Sequence, residues 1–159
     1  QAMLLRAHNH KGTSFLEIYQ NCNIFNDGAF EIFTEKGTKQ DQGLYLEHGK
    51  PMVYGANKQF GIKLDGLKPV VVDLAEGAST DDLWIHDEKD FYKAQILVRM
   101  FDDPNQSGEH FPRPFGVFYE TERACYEDQM AMQIEEIITS KGKGDLDKLI
   151  RGKEVWEIQ

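Results

Sequence analysis

The sequence predicts an α/β to α+β chain: a helix and a last buried strand close an α/β layer, then a small sheet and two long helices follow. Three observations predict it. Residues 14–19 carry Phe15, Leu16, Ile18 and Tyr19 as a nearly continuous, β-favouring apolar run, the pattern of a strand covered on both faces. Between residues 44 and 74, short β-favouring runs alternate with turns bearing Gly, Pro and Asn. Two further segments repeat apolar residues at helical spacing.

Residues 2–9 read as a short helix with Met3, Leu4 and Ala7 on one side, stopped by Lys11-Gly12. The buried strand 14–19 follows. Asp27-Gly28 opens a short helical or irregular piece whose Phe30, Ile32 and Phe33 need a partner surface, and Lys36 to Gly43 reads as an exposed loop. Four strands are expected over Leu44–Glu47, Met52–Tyr54, Gln59–Leu64 and Pro69–Leu74, with turns at His48–Pro51, Gly55–Lys58 and Asp65-Gly66. Their spacing suggests an antiparallel or mixed sheet and not further βαβ winding.

A helix is expected from Glu88 to Phe101, capped by Asp87, with Phe91, Ala94, Leu97, Val98 and Phe101 as its apolar stripe and Asp102-Asp103-Pro104 as its stop. Residues 103–116 then form an extended Pro-rich segment, the least ordered of the chain. The second long helix spans Glu122 to Ser140, capped by Thr121 and ended by Gly142. Its Tyr126, Met130, Ile134, Ile137 and Ile138 form a stripe read as core packing, the alternative being a soft hydrophobic docking groove at Met130, Met132 and Ile134. A short helix over Asp145–Ile150 and a final strand over Glu154–Ile158 complete the reading.

With 40% hydrophobic and 28% charged residues, the 159-residue chain has the composition of an ordinary globular protein. Its net charge of −9 argues against nucleic acid or an anionic membrane as partner, and its densest basic run, Lys141–Lys153, is broken by Gly and Asp. No apolar run is long enough to span a membrane, and no signal peptide is visible. Two cysteines are too few for a disulfide framework, which points to a reducing cytoplasm, where the sequon Asn105-Gln106-Ser107 is a chance match.

Cys22 stands between Asn21 and Asn23, just past the expected C-terminal end of the buried strand. Ligands gather outside such strand ends in open α/β sheets, and a soft thiolate there is a candidate ligand for iron or zinc. The alternative is a small buried core cysteine. Cys125 lies in a helical stretch. The five histidines show no His-Glu-x-x-His pattern and read as half-exposed polar residues at element edges. Asp81-Asp82 and Glu135-Glu136 point apart as helix neighbours and read as solvated faces. No residues assemble a nucleophilic site or a phosphate loop, so every chemical expectation rests on Cys22 and its asparagines.

The string Glu17-Ile-Tyr-Gln-Asn-Cys22-Asn-Ile-Phe-Asn-Asp-Gly-Ala-Phe30 resembles the β subunit of the 2-oxoacid:ferredoxin oxidoreductases, most closely the 2-oxoglutarate branch. Leu46-Glu-His-Gly-Lys-Pro51 and Phe60-Gly-Ile-Lys-Leu-Asp-Gly66 look like the same family's C-terminal region. The resemblance covers residues 1–101 well and the remainder more loosely.

The resemblance implies a subunit that binds thiamine diphosphate with Mg²⁺ and carries a [4Fe-4S] cluster. Cys22 matches the last cluster ligand, and Asn21 and Asn23 would supply hydrogen bonds near cluster or cofactor. The activity implied is oxidative decarboxylation of a 2-oxoacid with coenzyme A, reducing ferredoxin. Partners would be the α subunit and the N-terminal half of the β subunit, in an oligomer. The chain lacks the family's Gly-Asp-Gly…Asn motif, its Cys-x-x-Cys pair and a third ligand cysteine, and opens Gln1-Ala2-Met3. It is therefore expected to be the C-terminal part of a longer polypeptide, inactive and free of cluster and thiamine diphosphate when purified alone. Residues 1–27 would end the thiamine diphosphate-binding domain, 28–101 would form the C-terminal domain of the β subunit, and 102–159 a helical extension. The rival expectation is a freestanding, non-catalytic α+β binding or subunit-interaction module. The exposed strand and Phe25, Phe30 and Phe33 are expected to make the chain self-associate.

Overall fold

The strongest local signal, Asp65-Gly66 between two β-favouring runs, forms the tightest piece of the fold. Strand β3 (Phe60–Asp65) and strand β4 (Lys68–Asp73) pair antiparallel in full register from Phe60↔Asp73 to Asp65↔Lys68. The two-residue loop between them starts with Gly66 at φ +61°, the position at which a II′ hairpin turn needs a residue without Cβ. Strand β2 (Val53–Tyr54) adds on the other side of β3, giving the order β2-β3-β4. Pro69 sits on β4, an edge strand, where a missing N–H costs no ladder bond.

A computed structural model describes residues 1–100, 110–153 and 156. They fall into two units, one of Gln1–Asn9 with Phe15–Thr121, the other of His10–Ser14 with Glu122–Gln159. The first holds helices α1 (Ala2–Asn9), α2 (Glu31–Thr34), α3 (Lys39–Gln42) and α4 (Phe91–Leu97), with strands β1 (Gly43–Tyr45) and β5 (Arg113–Phe115) beside the three-stranded sheet. The second holds α5 (Tyr126–Lys141) and α6 (Leu146–Arg151). Small parallel and antiparallel sheets with helices make the fold mixed α/β, as expected.

Six expectations are corrected, the last of them the exposure of His86. Residues 14–19 form no strand: no described strand pairs with them, and Phe15 is 92% and Ile18 66% exposed. Local β-propensity without a partner ladder leaves the segment extended but unpaired. Residues 39–42, expected as loop, make the helical turn α3. The Pro-rich segment is partly a strand, since β5 pairs parallel with β1 through Leu44↔Pro114, and Pro112 and Pro114 are buried. Helix α4 starts three residues late because Asp87 turns its carboxylate onto the Lys89 N–H, leaving Asp90 to cap by accepting from the Lys93 N–H at 3.0 Å. That bond and the nearby Lys93 ammonium hold the Asp90 carboxyl below its usual range. Of the expected stripe, Ala94 and Leu97 are buried while Phe91 and Val98 are about half exposed.

The fifth concerns α5. It begins at Tyr126 and not at Glu122, because Glu120 is still tied to the first unit by its N–H on the Glu88 carbonyl (2.7 Å) and by Arg6. None of its residues is buried, so its stripe is not core packing. Gly142 ends it, as expected, and the short helix expected over Asp145–Ile150 is α6, with Asp145 as its cap. The expected stop at Asp102–Pro104, Phe101, the sequon and the final strand over 154–158 lie outside the described residues, save Trp156.

The core of the first unit is Leu44, Leu46, Met52, Tyr54, Ile62, Trp84, Leu97 and Met100. Backbone bonds from Met52 N–H to the Trp84 carbonyl and from Trp84 N–H to the Ile62 carbonyl draw residues 83–86 alongside it. His86, expected to be half exposed, is buried here and donates Nε2–H to the Val117 carbonyl at 2.8 Å. Helix α1 attaches less through Met3 and Leu4, which are 42% and 56% exposed, than through Arg6. Its guanidinium bridges buried Glu88 and half-buried Glu120, and the two carboxylates raise its pKa.

Behind β1, Gly116 takes φ +136°, and a Cβ there would lie 2.9 Å from Leu46 Cβ and 3.0 Å from the Leu46 carbonyl. Gly116→Ala combines backbone strain with a clash against main chain, so it should destabilise the unit by about 2–4 kcal/mol. Thermal unfolding checks it; an unchanged midpoint would mean that the loop relaxes freely.

Candidate functional site

Three asparagines, an aspartate and a glycine crowd residues 21–28, a composition that closes turns through side-chain-to-backbone bonds. The chain folds back at Cys22, whose carbonyl accepts the Asn26 N–H at 3.0 Å across an isolated antiparallel bridge. Asn21 fastens the turn from outside. Its Oδ1 accepts the Gly28 N–H at 2.9 Å, while its Nδ2 donates to Asn23 Oδ1 at 2.8 Å and to Asp27 Oδ1 at 2.9 Å.

Inside the turn, backbone N–H groups converge on the Cys22 sulfur, from Phe25 foremost, then Ile24 and Asn26. Such N–H dipoles favour an anion, and those of Phe25 and Ile24 lower the Cys22 pKa below the ordinary thiol value against an opposing effect of desolvation. Cys22 is partly exposed. The turn thus favours the thiolate form of Cys22 relative to an ordinary cysteine.

An aromatic cluster anchors both sides of the turn. Tyr19 stacks on Phe30 at 4.5 Å and packs edge-on against Phe115 of β5 at 5.5 Å, and Phe33 lies 5.9 Å from Tyr19 and from Phe115. The Arg113 guanidinium sits 5.6 Å over the Phe33 ring. Phe30 and Phe33 therefore find their partner surface within the unit, whereas Phe25 stays 89% and Ile24 84% exposed.

The structure brings Asn21, Cys22 and Asn23 into one turn, but the two asparagine side chains bind each other and Asp27, while backbone N–H groups face the sulfur. Sequence reading missed Asp27, Gly28 and Tyr19 as builders of the site. The Asn-rich run ending in Asp-Gly was the signal for the first two. Among the described residues no three His, Cys, Asp or Glu side chains gather to hold a metal ion. The other cysteine, Cys125, belongs to the second unit, at the N-cap of α5. The turn fits one thiolate ligand of a metal centre, not a complete set. No described helix is long and apolar enough to cross a membrane.

Because only the thiolate reacts with iodoacetamide, the lowered pKa has a direct readout. In a Cys125→Ser chain, Cys22 alkylation should rise with pH through a midpoint below that of the denatured chain. Denaturation removes the N–H donors and should return the midpoint upward. Identical midpoints in native and denatured chain would mean that these N–H groups do not act on the sulfur.

No family model matches the chain, and no solved structure matches it. Among curated proteins it is similar to the 2-oxoglutarate oxidoreductase subunit KorB of Mycobacterium tuberculosis (strain ATCC 25618 / H37Rv), with 29% identity over 160 residues. The likeness takes in 98% of this chain but 41% of that relative, so the chain spans less than half of its length. It includes the Cys22 turn and both units, so the resemblance first carried by residues 17–30 extends as a similarity along nearly the whole sequence.

Proposed function

We propose that the chain is the C-terminal portion of the β subunit of a thiamine diphosphate-dependent 2-oxoacid:ferredoxin oxidoreductase, acting on 2-oxoglutarate in the cytoplasm. Residues 1–27 end the thiamine diphosphate-binding domain, 28–101 are the C-terminal domain of the β subunit, and 102–159 are a helical extension. The observation that carries the reading is the Cys22 turn: a partly exposed cysteine whose pKa backbone N–H groups lower, in a chain similar over 98% of its length to a 2-oxoglutarate oxidoreductase subunit.

The Cys22 thiolate holds one iron of a [4Fe-4S] cluster, whose other cysteines come from outside these residues. The cluster, when bound, supplies one-electron storage. The N–H groups of Ile24, Phe25 and Asn26 spread the negative charge on the sulfur and favour the reduced state. Asn21 locks the turn that aims them, and Tyr19 fixes the turn against β5. Thiamine diphosphate with Mg²⁺ is held by the N-terminal half of the β polypeptide, and the enzyme is complete only with its α subunit.

The test is the complete enzyme. Reduction of ferredoxin should require both 2-oxoglutarate and coenzyme A and release CO₂ with the acyl-CoA. Ferredoxin reduction that proceeds without coenzyme A, or with no 2-oxoacid at all, would overturn the assignment.

A further inference from the structure

Helix α5 presents Tyr126, Met130, Ile134, Ile137 and Ile138 along one side, and all five are between 44% and 73% exposed. At about 100° per residue, Asp128, Glu135 and Glu136 fall on the opposite side. Asp128 is already engaged by Lys11 of the same unit. The apolar stripe therefore carries charge only at its two ends, Glu127 in the first turn and Lys141 in the last.

We propose that this face docks a second copy of the same chain, its α5 laid antiparallel across the first. The charge pattern selects that occupant and that direction. With the twofold axis at Ile134, Ile134 meets its own copy, Met130 faces Ile138 of the other copy, and Glu127 faces Lys141. A parallel pair would set Glu127 against Glu127 and Lys141 against Lys141. The face is thus complementary to itself in one orientation, which is what a twofold interface requires. An antiparallel pair also places each helix N-terminus beside the other's C-terminus, where the two dipoles attract.

The proposal does not depend on the oxidoreductase reading. Its experiment is sedimentation of the 159-residue chain at micromolar concentration. The chain should be a dimer, and Ile134→Glu, which sets two carboxylates against each other on the axis, should raise the dimer Kd roughly tenfold or more. Lys141→Glu should weaken it several-fold, and the exchanged pair Glu127→Lys with Lys141→Glu should restore it to within about twofold, since opposite charges face again. Circular dichroism should show α5 intact in each variant. A monomeric chain, an Ile134→Glu variant that assembles like the parent, or an exchanged pair no better than Lys141→Glu alone would overturn the proposal.

Discussion

Leu44→Ala should cost the first unit about 3 kcal/mol and lower its melting midpoint by roughly 10 °C. Leu44 is 0% exposed and lies at the centre of the β1–β5 pair, opposite Pro114. It also belongs to the cluster with Ile62, Trp84 and Leu97, so truncation removes transfer energy and leaves a cavity that two sheets and a helix line. Leu67→Ala is the internal comparison, because Leu67 is 80% exposed at the hairpin tip and should cost less than about 0.5 kcal/mol. A Leu44 effect as small as that of Leu67 would mean that β1 and β5 do not pack on this core.

The contrast between the two leucines also shows what the sequence could reveal. Hairpin β3–β4 was legible because its information is local: alternating β-favouring residues and a glycine where the turn needs positive φ. Helix α4 was legible as a helix but not in its first residue, since Asp87 and Asp90 are equally good caps on paper and only the Asp87–Lys89 turn decides between them. Residues 14–19 failed for the opposite reason. Their β-propensity is real, but a strand exists by pairing, and pairing is non-local. The same argument explains β5, hidden among prolines until its parallel partner β1, far away in sequence, is seen.

At the candidate site, Cys22 stood out through its neighbours and its resemblance to a known subunit. The groups that act on its sulfur did not, because they are backbone N–H groups that every non-proline residue carries, aimed only by the turn. Arg6 was equally silent. Nothing in the sequence links it to Glu88 and Glu120, which lie far along the chain and meet it only in the fold.

If the proposed function holds, Cys22→Ala in the complete enzyme should abolish or destabilise the iron–sulfur cluster, the largest functional effect expected of any single change in this chain. Alanine has no atom that can replace a thiolate on iron, whereas the turn itself is closed by Asn21, Asn26 and Gly28 and should survive. Thiamine diphosphate, which in the proposed enzyme would be held by residues outside this chain, should bind as before, so loss of the cluster is separable from misfolding. The decisive measurement is iron and acid-labile sulfide per enzyme, taken alongside bound thiamine diphosphate, in wild type and Cys22→Ala. Depleted iron and sulfide with undiminished thiamine diphosphate is the expected result. Full iron and sulfide content in the variant, with wild-type ferredoxin reduction, would contradict it and leave Cys22 an ordinary cysteine in a well-made turn.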